Sequence, residues 1–180
     1  MAYTPPPAFA PDDVLAASDL NILSDDITDL DARATESAFM GVSLLRGSNQ
    51  SISNATFTDI SWTSASIDVG GWWSSGTSVV VPAGAIPSGF TTIYVEIHGQ
   101  TRAASNGAGT RYLQFLLNGS VIEAAFNVSA ITGDTTAIQH TVWAEVAAAD
   151  VIKMQVEQTS GGALNFATNT FKIKRLGPGA

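Results

Sequence analysis

The hydrophobic and polar positions along this 180-residue chain follow two patterns that meet near residue 40. In the first pattern, apolar residues recur at alternating intervals of three and four positions: Leu20, Leu23, Ile27, Leu30 and Ala34. This spacing predicts a narrow helical seam about two heptads long, capped at Ser18 or Asp19. An ordinary amphipathic helix lying on its own domain would have the same spacing. We therefore predict a short helix or coiled coil over residues 18–40.

After residue 40 the period changes to two, and short β-rich runs are separated by Gly, Ser, Asn and Thr. Asn118-Gly119 predicts a tight hairpin, because a type I′ turn requires positive φ at both central positions. Strands are predicted at residues 42–46, 56–62, 66–69, 77–81, 91–99, 111–117, 121–128, 139–146, 151–158 and 170–176. About ten strands with one apolar face each predict an antiparallel jelly-roll sandwich over residues 41–180.

Charge and proline content separate the N-terminal segment from the rest of the chain. Residues 1–40 hold eight acidic side chains and one basic one, which accounts for −7 of the formal net charge of −8. Four of the seven prolines lie within the first eleven residues, including Pro5, Pro6 and Pro7. Proline fixes φ and favours extended backbone, so residues 1–17 are predicted to form an extended arm.

Composition excludes several classes of protein. The chain has no Cys, so disulfides, thiolate metal sites and cysteine nucleophiles are excluded. Its apolar runs are far shorter than the roughly 20 residues of a membrane-spanning helix, and its opening residues do not resemble a signal peptide. A sequence pI of about 4.4 argues against binding to nucleic acid through phosphates. We expect a protein or glycan partner, and neither nucleic acid nor membrane.

No pattern in the sequence indicates catalysis. His98 and His140 are the only imidazoles, each lies in a predicted strand, and neither G-x-S-x-G nor H-E-x-x-H occurs. Asp25 and Asp26 belong to an acidic helix from which the carboxylates diverge, and no calcium-binding loop motif is present. We therefore expect a protein that is not an enzyme and that uses no cofactor and no metal.

Several segments of the head resemble successive strands of the tumour-necrosis-factor and complement-one-q type of jelly roll. They are Gly41-Val-Ser-Leu-Leu-Arg46, residues 50–53, residues 86–95, Arg111-Tyr-Leu-Gln-Phe-Leu-Leu-Asn-Gly119, residues 149–158 and residues 171–177. Ala149 stands where the family usually has a glycine before the aspartate. The stretch from Tyr3 to Asn21 resembles the opening of small structural proteins of tailed bacteriophages.

These resemblances imply a function. They imply a homotrimer on the surface of a phage particle, anchored to other capsid or tail proteins through its arm at Pro5, Pro6, Pro7 and Phe9. Capsid decoration, a head fibre and a short tail fibre are all compatible roles. The alternative is a receptor-binding adhesin module for host attachment, in which the head binds a host-surface glycan or protein.

The family resemblance also implies that three strands line a three-fold axis, at residues 91–99, 139–146 and 170–176. Side chains alternate across a strand, so if Ile93, Val95 and Ile97 fill the core, their neighbours face the axis. The expected head contacts are Tyr94, Glu96, His98, Thr141, Trp143, Glu145, Lys172 and Lys174. The expected coil contacts are Leu20, Leu23, Ile27 and Leu30.

Trp72 and Trp73 lie in a glycine-rich loop and are the candidate ligand site. Two indoles there could present flat apolar faces to sugar rings. The structural alternative, which we favour, is that at least one of them covers the end of the sandwich or packs against a neighbouring subunit.

Overall fold

A computed structural model describes residues 21, 22, 24–27 and 39–179. The chain divides into two compact units, Met1–Ala38 and Phe39–Ala180. In the first unit, Asn21, Ile22 and residues 24–27 are α-helical, inside the segment predicted to be a helix. The predicted arm, with Pro5, Pro6, Pro7 and Phe9, lies outside the described residues, and so do Leu20, Leu23 and Leu30.

The second unit is almost entirely β-structure. Its strands are β1 (Gly41–Arg46), β2 (Gln50–Ile52), β3 (Thr58–Asp59), β4 (Ser64–Val69), β5 (Ser78–Val80), β6 (Thr92–Ala103), β7 (Thr110–Leu117), β8 (Ser120–Val121), β9 (Phe126–Ser129), β10 (Thr136–Ala147), β11 (Val151–Gln158) and β12 (Leu164–Pro178). A 3-10 turn, Ala83–Ala85, lies between β5 and β6.

The strands form two six-stranded antiparallel sheets. The sheet that we call the inner sheet has the order β10-β6-β12-β1-β4, with β2 also paired to β12. The outer sheet has the order β3-β11-β7-β8, with β5 paired to β11 and β9 paired to β7. The hydrophobic core is one cluster of buried residues contributed by both sheets. This arrangement is the predicted antiparallel jelly-roll sandwich.

Every predicted run contains a strand, but β6, β10 and β12 extend beyond their predicted bounds, and two other predicted runs are shortened or interrupted. The predicted strand 56–62 is reduced to Thr58–Asp59, because the Gln50 side chain takes the place of a strand partner. Its amide donates to Asp59 O at 2.8 Å and its carbonyl accepts from Ser61 N at 3.0 Å. The predicted strand 121–128 is two strands, β8 and β9, and β2 lies in residues 50–53, which the family resemblance implied as a strand but the alternation pattern did not.

Aromatic rings hold the two sheets together. Phe115 of β7 lies over Gly99 of β6, which pairs with His140 on one side and Phe171 on the other. The Phe115 ring stacks on both neighbours, with centroid distances of 5.8 Å to His140 and 5.8 Å to Phe171. Trp62 extends the stack beyond Phe171 at 5.5 Å. A ring from one sheet therefore occupies the space that a side chain at Gly99 would need.

Two turns have the left-handed backbone that their positions require. Asn118 has φ 51° and Gly119 has φ 84°, between the paired residues Leu117 and Ser120. The predicted two-residue hairpin is thus confirmed. Ala149, which stands where the family resemblance implies a glycine, has φ 68° and therefore carries the strain of a side chain in this region.

The two ends of the sandwich carry different loops. The end where Gly41 enters the inner sheet carries the loops at residues 70–77, 81–91 and 148–150. The opposite end carries the loops at residues 47–49, 104–109, 130–135 and 159–163. We call the first the entry end and the second the far end.

Gly99→Ala tests the contact between the sheets. A Cβ at this position would lie 2.8 Å from Phe115 Cε1 and 2.9 Å from Met154 Sδ, and the stacked ring has no free direction in which to move. We expect the substitution to lower the free energy of unfolding by about 1–3 kcal/mol, measured by urea denaturation. Gly47→Ala is the control, because its Cβ would meet nothing within 4 Å. Equal stability of the two variants would contradict this account of the core.

Candidate interaction face

The outward surface of the inner sheet brings together the predicted head contacts. Ile93, Val95 and Ile97 of β6 are fully buried, which turns the residues between them toward the opposite surface. In β10 and β12 the buried residues include Val142, Val146, Phe171 and Ile173. The eight side chains predicted to face the axis therefore share one surface, which we call the inner-sheet face.

The strand register sets their spacing. Trp143, Glu96 and Lys174 form one row across β10, β6 and β12. Thr141, His98 and Lys172 form a second row, and Glu145 lies opposite Tyr94. Directly paired side chains on one face of an antiparallel sheet have Cβ atoms about 4.5–5.5 Å apart, so the face alternates aromatic, acidic and basic groups at contact distance.

Large apolar side chains on this face are exposed. Trp143 is 72% exposed and Tyr94 is 43% exposed. At the β4 edge of the sheet, Ile67 is 48% and Val69 is 43% exposed, on the same surface as Ser43 and Gly41 of β1. Sequence reasoning missed the β4 residues. Their alternation was visible in the sequence, but nothing local shows that β4 lies beside β1.

The polar groups on this face form few contacts within the chain. Trp143 Nε1 donates to Glu96 Oε2 at 3.4 Å, and Thr92 Oγ1 donates to Glu145 Oε1 at 2.6 Å. Within the described part of the chain, Lys172 and Lys174 form no ion pair. The positive charges of Lys172 and Lys174 are therefore available to a partner.

His98 lies at the centre of the second row. Its Nδ1 is 2.8 Å from Thr141 Oγ1. Burial lowers the pKa of His98 and Lys172 lowers it further, whereas Glu96 acts in the opposite direction. The neutral imidazole is therefore the form that this surface favours.

In the coil, the structure describes only one of the four predicted contact residues. Ile27 is helical and 66% exposed, and Ile22, in the same helical segment, is 40% exposed. An exposed apolar side chain at the predicted seam is compatible with a partner helix. The role of the seam stays a prediction.

The candidate ligand site at Trp72 and Trp73 needs a correction. Trp72 is 1% exposed, and its Nε1 donates to Val69 O at 3.1 Å. The Asp68 carboxylate accepts from both tryptophan N–H groups of the loop backbone, at 2.8 Å from Trp72 N and 3.1 Å from Trp73 N. Trp72 is part of the core and cannot stack on a sugar, so paired indole faces do not exist. Trp73 is partly buried against the core.

Within residues 21, 22, 24–27 and 39–179, no three His, Asp or Glu side chains are grouped as metal ligands. In the same residues, no helix is long and apolar enough to cross a bilayer. The inner-sheet face is flat, aromatic and mixed in charge, a combination that suits contact with another protein surface.

Known structures identify the fold. No protein-family model matches the sequence, and no curated protein does. Murine APRIL, in a crystal structure at pH 8.0, has a TM-score of 0.57 and 13% identity, over 77% of this chain and 100% of that chain. The vertex protein P5 of the phage PRD1 has a TM-score of 0.53 and 16% identity, over 76% and 96%. Eiger TNF from S. frugiperda has a TM-score of 0.48 and 12% identity, over 79% and 95%. The likeness to APRIL and P5 shows the fold of the β-structured unit, which is the predicted tumour-necrosis-factor-like jelly roll.

His98→Gln tests the electrostatics of the face. A histidine with a lowered pKa binds fewer protons folded than unfolded, so the stability present above about pH 6.5 is lost as the pH falls through the folded-state pKa. The wild type should therefore lose more stability than His98→Gln on acidification from about pH 7.5 to about pH 5. Urea midpoints at fixed protein concentration measure this, and parallel losses in both proteins would contradict it.

Proposed function

We propose that this chain is a non-enzymatic structural protein of a phage particle, a homotrimeric spike attached to the virion surface through its N-terminal arm. One observation carries the proposal: the inner-sheet face exposes 72% of Trp143, which lies midway along β10, the edge strand of that sheet. A tryptophan so exposed, with Tyr94 beside it, is typical of a protein interface.

The charges on the same face support assembly of identical chains. Glu96 supplies negative charge and Lys172 and Lys174 supply positive charge, so three copies around an axis can pair them between subunits. A buried carboxylate without a partner is costly, and such pairs would remove that cost. A solvated outer surface would tolerate the same charges but leaves the two aromatic residues without a function.

Two similarities support a place on a phage particle. The head has the fold of PRD1 vertex protein P5, and the stretch from Tyr3 to Asn21 resembles the opening of tailed-phage structural proteins. In this proposal residues 1–17 anchor the spike to capsid or tail proteins. Capsid decoration, a head fibre and a short tail fibre all use this arrangement.

The second candidate is a receptor-binding adhesin module. The observation that favours it is the separation of the two ends of the sandwich. Gly41, which continues the chain from its N-terminal unit, lies at the entry end, whereas four loops lie at the far end. Loops displayed away from an attachment point are available to a host surface.

Trp143→Asp tests the trimer. The new carboxylate would lie beside Glu96 and near Glu145, so like charges would meet in the interface and the apolar contact would be lost. We expect light scattering to show monomers at micromolar concentration. The control is Val121→Asp on the outer sheet, at a residue that is 48% exposed, and it should stay trimeric. If both variants are trimers of equal thermal stability, the interface has been assigned wrongly.

Deletion of residues 2–14 tests the anchor. In this proposal the arm docks on a particle protein, because its sequence has too few apolar residues to form a core of its own. The shortened protein should form soluble trimers that no longer add to particles lacking the protein, measured by co-sedimentation. The full-length Val121→Asp variant should add normally. Normal addition of the shortened protein would show that another segment is the anchor.

A further inference from the structure

A second cluster of polar and aromatic side chains lies on the outer sheet. Tyr112 of β7 is paired with Asn127 of β9 on one side and Glu157 of β11 on the other. Arg111 and Leu113, the neighbours of Tyr112 in the strand, are buried, so Tyr112 and its two partners point outward. The side chains therefore form one short row on the surface of the sheet.

An aromatic contact fixes the ring at the centre of the row. Phe57 meets Tyr112 edge to face, with centroids 6.4 Å apart and ring planes at 67°. Both residues are half-buried and Asn127 is exposed. The two rings form an apolar surface, and the Asn127 amide and the Glu157 carboxylate lie beside it.

The row has hydrogen-bonding capacity that the protein does not use. Within the described part of the chain, the side chains of Asn127 and Glu157 and the Tyr112 hydroxyl form no hydrogen bond or ion pair. The Asn127 amide can donate and accept, the carboxylate accepts only, and the phenol does both. Together they can recognise a ligand that carries several hydroxyl groups.

In the next row of the same sheet, the polar side chains already bond to one another. Gln114 donates to Gln155 at 2.8 Å, Gln155 donates to Asp59 at 2.7 Å, and Lys153 Nζ lies 2.7 Å from the other Asp59 oxygen. Burial raises the pKa of Asp59, but the hydrogen bonds from Lys153 and Gln155 outweigh that effect and lower it. This network fixes β3, the strand that directly follows Phe57.

A buried cation fixes the other side of the site. The Arg111 side chain is fully buried and donates to Asn106 O at 2.8 Å and Ala108 O at 2.9 Å. Thr110 N also donates to Thr159 Oγ1 at 2.9 Å, which ties two far-end loops together. The strand that carries Tyr112 is therefore held in place from behind, and a preformed site of this kind loses little entropy on binding.

We propose that Tyr112, Asn127 and Glu157 form a binding site for a neutral pyranose of a cell-surface carbohydrate. The apolar face of the sugar ring packs on Tyr112, its hydroxyls donate to the Glu157 carboxylate, and the Asn127 amide bonds a neighbouring hydroxyl. The site lies toward the far end on the outer sheet, so it stays open when the inner-sheet face is covered. This accessibility is the one part of the inference that rests on the proposed function. The site itself does not depend on it, because all three residues belong to one chain.

The test uses methyl glycosides of glucose, galactose, mannose and N-acetylglucosamine with the full-length protein. Saturation-transfer and protein-observed NMR should show at least one of them binding, with shifts at the amides of Tyr112, Asn127 and Glu157. Tyr112→Ala should weaken that binding by roughly tenfold or more. Glu157→Gln keeps the shape of the side chain and should weaken it as well, which covers the case in which Tyr112→Ala fails to fold.

Trp73→Ala is the matched control at the entry end, and it should leave the affinity unchanged. The proposal is overturned if none of the four glycosides binds, or if binding is lost in Trp73→Ala and retained in Tyr112→Ala. Light scattering on the same samples separates this inference from the proposed spike. A trimer that binds no glycoside contradicts the carbohydrate site alone, whereas a monomer that binds contradicts the spike and supports the site.

Discussion

The whole sandwich depends on the close approach of Phe115 to Gly99. The ring can lie between His140 and Phe171 only because the residue beneath it has no side chain. Stacked rings then run from Phe126 through the core to Trp62, so one continuous aromatic layer joins both sheets and the Ser61–Thr63 segment. Close packing of this kind is what fixes a single register for two large sheets.

That register determines what the opposite surface of the inner sheet presents. Because β6, β10 and β12 each turn their apolar residues toward the core, the alternate residues of these strands form the outward surface of the inner sheet. Here those positions hold Trp143 and Tyr94 among charges of both signs. A slip of one residue in any of the three strands would bury the charges and expose the aliphatic core, so the face and the core are specified together.

Much of the fold could be predicted because period-two alternation is a local signal. It placed β11 at its observed bounds and put Tyr94, Glu96 and His98 on one side of β6. The length of a strand could not be predicted where it depends on distant partners. The clearest example is the segment at Ser61, where the Gln50 side chain takes the place of a neighbouring strand.

The sequence favoured packing of at least one of the two loop tryptophans on the sandwich, but it did not show which one. Trp72 is the buried one, because the Asp68 carboxylate folds the loop back and turns the indole inward. Tyr112 was not singled out, because its importance comes from Asn127 and Glu157, which reach it only through strand pairing.

The far-end loops owe their shape to side chains that lie outside them. Arg111 donates from its strand to carbonyls of the 104–109 loop. From another strand, Gln158 accepts from Ser160 N at 2.8 Å and donates to Gly162 O at 2.7 Å. In all of these bonds the loops take part through backbone atoms. Exposed positions such as Ser105 and Thr132 can therefore change identity at little cost in stability, because the frame does not depend on them. A surface built in this way can diversify quickly under selection while the fold beneath it stays constant.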